Sequence, residues 1–307
     1  MSKLLETKFC GIKLENPTIL ASGILGVSKG TLKIAAQGGA GAVTIKSISI
    51  EPRTGHKNPS VIAFEAGLMN AVGYSNAGLE NAKEEFSDLK SVGVPVIGSA
   101  IGKTAEEFAQ VVKVFDKMDF DAVEIPLSCP HTPGYGTLAG HSTPEKTAEI
   151  TKACRKVTKK PLIVKLSPNV QALGDVAKAA EKNGADAITA VNSMGPGMMI
   201  DINTGKPIMA FKWGGVSGPA LKPIAVRCVY DIYKSVKIPI LGTGGITTGE
   251  DAIEMIQAGA TAVGVGSAVY YRGANTFKLI CREMETWMKD NKVKTLEDIR
   301  GIAHDGA

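Results

Sequence analysis

Cys129 stands where an apolar run of the chain breaks into a segment rich in proline and glycine, residues 127–136. A cysteine in such a loop can act as a base or a nucleophile, because its unperturbed pKa of about 8.5 is closer to neutrality than that of any hydroxyl. The alternative is a small apolar filler, which is the commonest role of a cysteine. The residues that surround it must decide between the two.

Two lysines, Lys46 and Lys165, each end a short apolar run, with the sequences VTIK and IVK. A lysine buried at such a position is costly unless an anion or another acceptor accompanies it. The alternative, a side chain that reaches solvent along its own aliphatic stem, is plausible for one lysine and less so for two. The pair therefore favours an anionic ligand.

Two asparagines can supply carboxamides to a ligand. Asn70 lies in residues 67–78, a segment too apolar for a solvated turn, and Asn192 follows another apolar run. An amide that donates and accepts at once suits a planar ligand with amide or imide groups. Each asparagine alone is more often a turn or capping residue.

Two glycine-containing segments, residues 242–245 and Gly266-Ser267, follow the last two apolar runs of the chain. Barrel enzymes commonly bind a phosphate there, because glycine lets the ligand approach the backbone N–H groups. A tight turn is the alternative for either segment alone. Their shared location favours a phosphate site.

Metal and disulfide chemistry are not indicated. The four histidines show no metal-ligand spacing, although His131 can assist Cys129, and the five cysteines contain no C-x-x-C pair. The net charge of +5 is scattered along the chain, which argues against a nucleic-acid partner. A secretory signal and an apolar stretch long enough for a membrane span are both missing from the sequence, so we expect a cytoplasmic protein without a membrane partner.

Eight short apolar runs alternate with helix-like segments such as 144–158 and 249–258, which predicts buried parallel strands. Three runs are entered through the similar sequences GAGAV, GADAI and GATAV, a repeated helix-to-strand joint that favours a closed (β/α)₈ barrel over a doubly wound open sheet. We predict one domain over residues 1–307. The predicted strands are residues 17–22, 42–46, 95–100, 121–127, 162–166, 186–192, 239–243 and 262–266.

The candidate residues all fall near the carboxyl ends of these predicted strands, which is the functional face of a barrel. Two stretches on the same face, 50–78 and 192–219, are too long for simple joints, and we expect them to form lids or substrate walls.

The whole chain resembles the dihydroorotate dehydrogenase family, in particular its soluble class 1 branch with type B and archaeal members. The resemblance rests on an ordered set of motifs: ASG at 21–23, residues 67–78, SCP at 128–130, VKLSPNV at 164–170, GGVSG at 214–218 and GTGG at 242–245. It implies an α/β fold, a (β/α)₈ TIM barrel, with FMN at the carboxyl-terminal mouth. The implied reaction is the oxidation of (S)-dihydroorotate to orotate in pyrimidine biosynthesis.

By this resemblance Cys129 is the catalytic base, which removes a proton from C5 of the substrate while a hydride passes from C6 to flavin N5. Lys165 then stabilises the reduced flavin. The implied FMN-binding residues are Ser22, Lys46, Ser47, Ser99, Lys165, Val191, Gly218, Gly244, Gly245, Gly266 and Ser267. The implied substrate-binding residues are Lys46, Asn70, Ala71, Val72, Gly73, Tyr74, Asn192 and Ser193.

The chain differs from the family pattern at Pro126, Ser99 and His131, where members usually carry asparagine. Because Pro126 offers neither an amide nor an N–H, a second hypothesis keeps FMN but changes the substrate to another dihydropyrimidine or a cyclic enone. A third hypothesis is a barrel that binds a phosphorylated ligand without redox chemistry.

The electron acceptor stays open. The sequence contains neither a four-cysteine iron–sulfur ligand set nor a G-x-G-x-x-G unit. If NAD⁺ is the acceptor, a separate FAD and iron–sulfur electron-transfer subunit is implied, and fumarate is an alternative. Family members are commonly homodimers or heterotetramers, which we expect here as well.

Overall fold

The structure is a computed structural model that describes residues 3–127 and 141–306. Its strands, in chain order, are β1 (Thr7–Phe9), β2 (Ile12–Leu14), β3 (Thr18–Leu20), β4 (Ala42–Thr44), β5 (Val61–Phe64), β6 (Gly67–Asn70), β7 (Val96–Ser99), β8 (Ala122–Pro126), β9 (Leu162–Leu166), β10 (Ala187–Ala190), β11 (Met194–Gly197), β12 (Ile200–Asp201), β13 (Lys206–Pro207), β14 (Gly214–Ser217), β15 (Ile240–Thr243) and β16 (Ala262–Val265).

Eight parallel strands close into a barrel in the circular order β3-β4-β7-β8-β9-β10-β15-β16. Each of the eight predicted runs contains one of these strands, and β16 pairs with β3 to complete the ring. The predicted (β/α)₈ barrel is therefore confirmed, and the open doubly wound sheet is wrong.

The helices that cover the barrel include the two predicted segments, with slightly different ends. The first ends at Arg155 because this side chain donates to the carbonyls of Thr158 and Lys160, which turns the chain toward β9. No helix in residues 3–127 and 141–306 combines the length and apolarity that a membrane span requires. The helices are α1 (Lys29–Gln37), α2 (Gly78–Glu85), α3 (Ala105–Phe115), α4 (Pro144–Arg155), α5 (Leu173–Lys182), α6 (Lys222–Tyr233), α7 (Gly249–Gln257), α8 (Ala268–Arg272) and α9 (Thr276–Asp290).

The barrel interior is layered, because side chains alternate along each strand. The layer at the amino-terminal end is apolar, and Phe9 and Leu14 of the β1–β2 hairpin close it from below. Two residues further along the strands, the next layer is polar and buried. The apolar layer is Ile19, Ala42, Ile97, Ala122, Ile163, Ala187, Leu241 and Ala262; the polar layer contains Thr44, Ser99, Glu124, Lys165, Thr189 and Thr243.

The two long stretches on the carboxyl-terminal face form a second sheet, which the sequence did not predict. Strands β5 and β6 come from the first stretch, β11 and β14 from the second, and they pair antiparallel in the order β11-β14-β6-β5. The shorter β12 and β13 form a hairpin beside them. A sheet gives these segments a fixed geometry that irregular loops lack.

Asp251 holds the loop between β15 and α7. Its Oδ2 accepts hydrogen bonds from the N–H groups of Thr247 and Thr248 at 2.8 and 2.9 Å, and its Oδ1 lies 2.8 Å from Lys222 Nζ. Burial by itself raises the pKa of this carboxyl, but the hydrogen bonds, led by that from Lys222, lower it from 3.8 to about 2. The ionised carboxylate thus stabilises the loop that follows Gly244 and Gly245.

Replacing Asp251 with asparagine is expected to lower the free energy of unfolding at pH 7 by about 2 kcal/mol, the equivalent of this change in pKa. Because the folded-state pKa is depressed, the contribution is complete above the unfolded value of 3.8 and is lost as the pH falls toward 2. Urea unfolding at several pH values measures it. Asp298→Asn, at the same position of an exposed capping box, is the control and is expected to lose less. A D251N deficit that stays constant from pH 7 to pH 2.5 would contradict this account.

Candidate active site

A cavity of about 620 Å³ lies at the carboxyl-terminal mouth of the barrel, between the strand ends and the second sheet. Most of the residues that the sequence singled out border this one cavity, although they come from widely separated parts of the chain. The predicted residues that border it are Ser22, Lys46, Ser47, Asn70, Val72, Gly73, Tyr74, Lys165, Val191, Asn192, Ser193, Gly218, Gly244, Gly245, Gly266 and Ser267.

Two of the predicted residues that the structure describes do not border the cavity, and a third lies outside the described residues. Ser99 is fully buried in the layer beneath, and Ala71 is fully buried behind β6, where its carbonyl lies 3.1 Å from His56 Nδ1. Cys129, together with His131, falls in residues 128–140, outside the described residues. Leu127 precedes that segment and Ser142 lies after it; Ser142 Oγ donates to the Leu127 carbonyl at 2.9 Å.

Three serines form a hydrogen-bonded group at the ends of β3, β4 and β7. Ser22 Oγ donates to the Ile45 carbonyl at 2.9 Å and lies 3.3 Å from Ser47 Oγ, which is 2.8 Å from Ser99 Oγ. Ser99 therefore supports the two serines that border the cavity. Their hydroxyl groups can rotate to donate to a ligand or accept from it.

Lys165 enters the cavity floor from the polar layer of the barrel. The residue is 5 % exposed, and its Nζ lies 3.8 Å from Oε1 of Glu124, which is 2 % exposed. Thr189 Oγ1 donates to the other oxygen of Glu124 at 2.8 Å. The buried ammonium is thus accompanied by a carboxylate, as the argument from desolvation required.

Lys46 lies between two cavities. It borders the main cavity and also a second one of about 560 Å³ near the start of α1 and the end of α2. Its backbone N–H donates to the Gly26 carbonyl at 2.8 Å, which fixes the chain after β4 against the loop that precedes α1.

The two carboxamides reach the cavity from different elements. Asn70 ends β6 opposite Gly215 of β14, and its Nδ2 lies 3.4 Å from the Gly215 carbonyl. Asn192 follows β10, where its backbone N–H donates to the Leu166 carbonyl and its Oδ1 accepts from the Ser193 N–H at 2.9 Å. One amide is therefore held by the second sheet and the other by the barrel.

The glycine segments leave backbone donors at the cavity. In residues 3–127 and 141–306, no group accepts a hydrogen bond from the N–H of Gly244, Gly245, Gly266 or Ser267. Gly244 and Gly245 have φ values of +132° and +76°, and a Cβ at Gly245 would lie 2.5 Å from that of Lys222. Glycine is thus required where the loop packs against α6, and the donors remain available to an anion.

Glu124 is the main residue of the site without a sequence prediction, because it lies inside an apolar run that predicts only a strand. A charge within an apolar strand needs a partner, and this signal, present at Lys46 and Lys165, is present at Glu124 as well. Ser217 and Tyr270 also border the cavity without having been predicted to bind a ligand.

The described cysteines and acidic residues offer little alternative chemistry at the site. Burial raises the pKa of the Cys154 and Cys281 thiols to about 12 and that of Cys228 to about 11, and none of the three borders the cavity. Within the described part of the chain, no group of three or more His, Cys, Asp or Glu residues is placed to hold a metal ion.

Pro126 borders the cavity at the end of β8, opposite Lys165 of β9 in the strand register. Its ring presents neither an amide nor an N–H to a ligand. The wall of the cavity is therefore apolar at this strand end, in contrast to its neighbours.

Comparisons with known proteins show what the chain is similar to. The family model described as dihydroorotate dehydrogenase matches residues 4–288. A protein of Methanocaldococcus jannaschii named dihydroorotate dehydrogenase B (NAD(+)), catalytic subunit, is 44% identical over 98% of this chain and 99% of its own length. A protein of Pyrococcus abyssi with the same name is also 44% identical, again over 98% and 99%.

The fold is shared with a solved structure, a DHODH from Eimeria tenella in complex with ferulenol. The TM-score is 0.82 at 22% identity, and the match covers 99% of this chain and 89% of the other. At that identity the likeness concerns the barrel architecture. Because the family model spans most of the sequence and the relatives match nearly all of it, the chain belongs to the dihydroorotate dehydrogenase family.

Proposed function

We propose that this protein oxidises (S)-dihydroorotate to orotate with FMN as its cofactor, as a step of pyrimidine biosynthesis. The observation that carries the proposal is the composition of a single cavity, which combines backbone N–H donors that have no acceptor in residues 3–127 and 141–306, a buried lysine and two carboxamides. The names of the relatives support the substrate. We further propose that residues 1–307 act as one FMN-binding domain.

The cavity fits FMN in size and in its donor groups. Its volume of about 620 Å³ lies within the usual range for small-molecule sites. The N–H groups of Gly244, Gly245, Gly266 and Ser267 would hold the phosphate, at the strand ends where barrels commonly bind one. Ser22, Ser47, Lys165, Val191 and Gly218 would line the rest of the cofactor, with Ser99 acting through Ser47.

When bound, FMN supplies the acceptor for the hydride that leaves C6 of dihydroorotate. The task of Lys165 is electrostatic, since its fixed positive charge in a buried site stabilises negative charge that develops nearby. Its Nζ lies 3.8 Å from Oε1 of Glu124 in the barrel interior.

Substrate binding is assigned to the residues of the second sheet and the end of β10. Asn70 and Asn192 would hydrogen-bond the amide and imide groups of the ring, with Ser193 and the chain from Val72 to Tyr74 completing the wall and Ala71 buried behind it. Lys46 would pair with the carboxylate of dihydroorotate. Because Asn70 is held by strand pairing, the ring would be oriented by a rigid element.

Cys129 is the proposed base that removes the proton from C5. The residue follows Leu127 by two positions in the sequence, and Leu127 is bound through its N–H to the Lys165 carbonyl at 3.0 Å. Among residues 3–127 and 141–306, no cysteine borders the cavity, so this thiol is the cysteine candidate for the role.

A second candidate function retains FMN and changes the substrate to another dihydropyrimidine or a cyclic enone. Pro126 favours it, because this residue gives the cavity an apolar wall at the end of β8. A substrate ring without a polar substituent on that side would lose no hydrogen bond at this apolar wall.

The electron acceptor is proposed to be NAD⁺, reached through a separate subunit that carries FAD and an iron–sulfur cluster. The relatives' designation as catalytic subunits supports a second component. We propose a homodimer of the chain, or a heterotetramer with that subunit, in the cytoplasm.

The purified protein is expected to carry FMN and to lose its flavin absorbance on anaerobic addition of dihydroorotate. A parallel series with dihydrouracil and dihydrothymine as reductants, followed by reoxidation of the reduced flavin with cyclohexenone as the hydride acceptor, separates the two candidate functions, since the preferred substrate reacts at the lowest concentration. Flavin that is bleached by dihydrouracil and unaffected by dihydroorotate would favour the second candidate. A protein that binds phosphate esters and no flavin would favour the non-redox barrel.

Cys129→Ala is expected to retain FMN and to slow flavin reduction by dihydroorotate by about 10²–10⁴-fold, the usual cost of removing a general base. Stopped-flow absorbance measures the rate at saturating substrate. Cys10→Ala is the control, because Cys10 lies in the β1–β2 hairpin and does not border the cavity. An unchanged rate in C129A would remove Cys129 from the mechanism.

With dihydroorotate as the donor, the flavin-loaded chain alone is expected to reduce NAD⁺ negligibly. Rapid reduction of NAD⁺ is expected once the electron-transfer subunit is added. Absorbance of NADH at 340 nm reports the reaction. Rapid NAD⁺ reduction by the chain alone would argue against a two-component enzyme, and fumarate serves as the comparison acceptor.

A further inference from the structure

Glu124 is a buried carboxylate that the proposed reaction does not use. It is 2 % exposed at the centre of β8, in the polar layer of the barrel interior. Oε2 accepts the hydroxyl of Thr189 at 2.8 Å, whereas Oε1 is buried with no hydrogen-bond donor in residues 3–127 and 141–306. A carboxylate in this condition is costly to bury unless a positive charge accompanies it.

That positive charge is Lys165, which lies on the adjacent strand. In the register of the barrel, Lys165 of β9 is opposite Pro126 of β8 and Thr189 of β10, so Glu124 and Thr189 approach it from both neighbours. The Nζ of Lys165 lies 3.8 Å from Oε1, and within the described residues this is the ion pair in which the lysine takes part.

The spacing of the pair is informative. A charge-assisted hydrogen bond between an ammonium and a carboxylate is about 2.7–2.9 Å long, shorter than the observed separation. The carboxylate thus compensates the charge of Lys165 without engaging all of its donors. Lys165 also borders the cavity, so its remaining N–H groups are available to a ligand.

We propose that Glu124 is the positioning residue for Lys165: anchored by Thr189, it holds the ammonium beneath the cavity and offsets its charge. A consequence, which rests on the proposed function, is that Glu124 limits how strongly the site favours reduced over oxidised FMN. Removing the carboxylate leaves an uncompensated positive charge beside the ligand, which increases the preference for reduced FMN. Removing both charges abolishes this increase.

The pairing itself is tested without flavin, by urea unfolding of the full chain after removal of FMN. Lys165→Met strands a buried carboxylate and is expected to raise the equilibrium constant for unfolding by at least 100-fold. Adding Glu124→Gln to K165M removes that stranded charge and is expected to lower the equilibrium constant for unfolding at least tenfold relative to K165M. If a single variant fails to fold and the double variant folds, the result supports the pairing in the same way. Additive losses in the double variant overturn the pairing.

Two further variants separate charge from volume in the unfolding experiment. Glu124→Asp keeps the negative charge, so adding it to K165M is expected to give no recovery. Thr44→Val removes a hydroxyl from the same buried layer and is the matched control, because Thr44 Oγ1 has no hydrogen-bond partner among the described residues and T44V is expected to change stability equally in the wild-type and K165M backgrounds. Recovery by E124D, or a T44V effect that is larger in the K165M background, would show that packing and not charge is responsible, and would overturn the proposal.

The flavin consequence is tested by the two-electron midpoint potential of bound FMN, which reports the ratio of affinities for its reduced and oxidised forms. E124Q is expected to shift this ratio about tenfold toward reduced FMN, which corresponds to about 30 mV in the positive direction. The E124Q/K165M variant is expected to match K165M within twofold. If the shift caused by E124Q persists in the K165M background, or if E124Q causes no shift, the proposed influence of Glu124 on the FMN potential is overturned. If the chain binds no flavin, the proposed function fails while the unfolding cycle still decides the pairing.

Discussion

Closure of the parallel sheet into a ring is the constraint on which the other features depend. Once β16 pairs with β3, alternate residues of every strand must point inward, and residues at equal heights form layers. The sequence uses this to change polarity along the barrel axis. An apolar layer seals the amino-terminal end, a buried polar layer follows, and the cavity opens above it.

The circular strand order also divides the polar groups into three neighbouring sectors. The serines lie at the ends of β3, β4 and β7, and the carboxylate, the lysine and Thr189 lie on β8, β9 and β10. The backbone N–H groups that have no acceptor among the described residues follow β15 and β16. Groups of one chemical type are therefore adjacent in space although distant in sequence. A ligand with a phosphate at one end and a flat ring at the other matches this division.

Much of this could be predicted from the sequence, for reasons that particular residues illustrate. Strands such as Leu162–Leu166 are continuous apolar runs, and Lys165 was conspicuous because a charge in such a run needs a partner. The second sheet gave no comparable signal. Strand β11 contains the sequence MGPG and β14 the sequence GGVS, which lack alternating apolar residues. β11 pairs with β14, and β14 is fixed by pairing with the distant β6, where Gly215 lies opposite Asn70. Such long-range pairing is invisible to local patterns.

The second sheet changes what the long stretches can do. A Cβ on Gly214 would collide with the Asn70 carbonyl, so the close approach of β14 to β6 depends on the missing side chain. This close pairing sets the position of the Asn70 amide at the cavity. The glycines that obscure the strand in the sequence are thus the residues that allow it to form. A binding group on paired strands is held more exactly in place than one on an irregular loop, and the carboxamide of Asn70 is oriented before a substrate arrives.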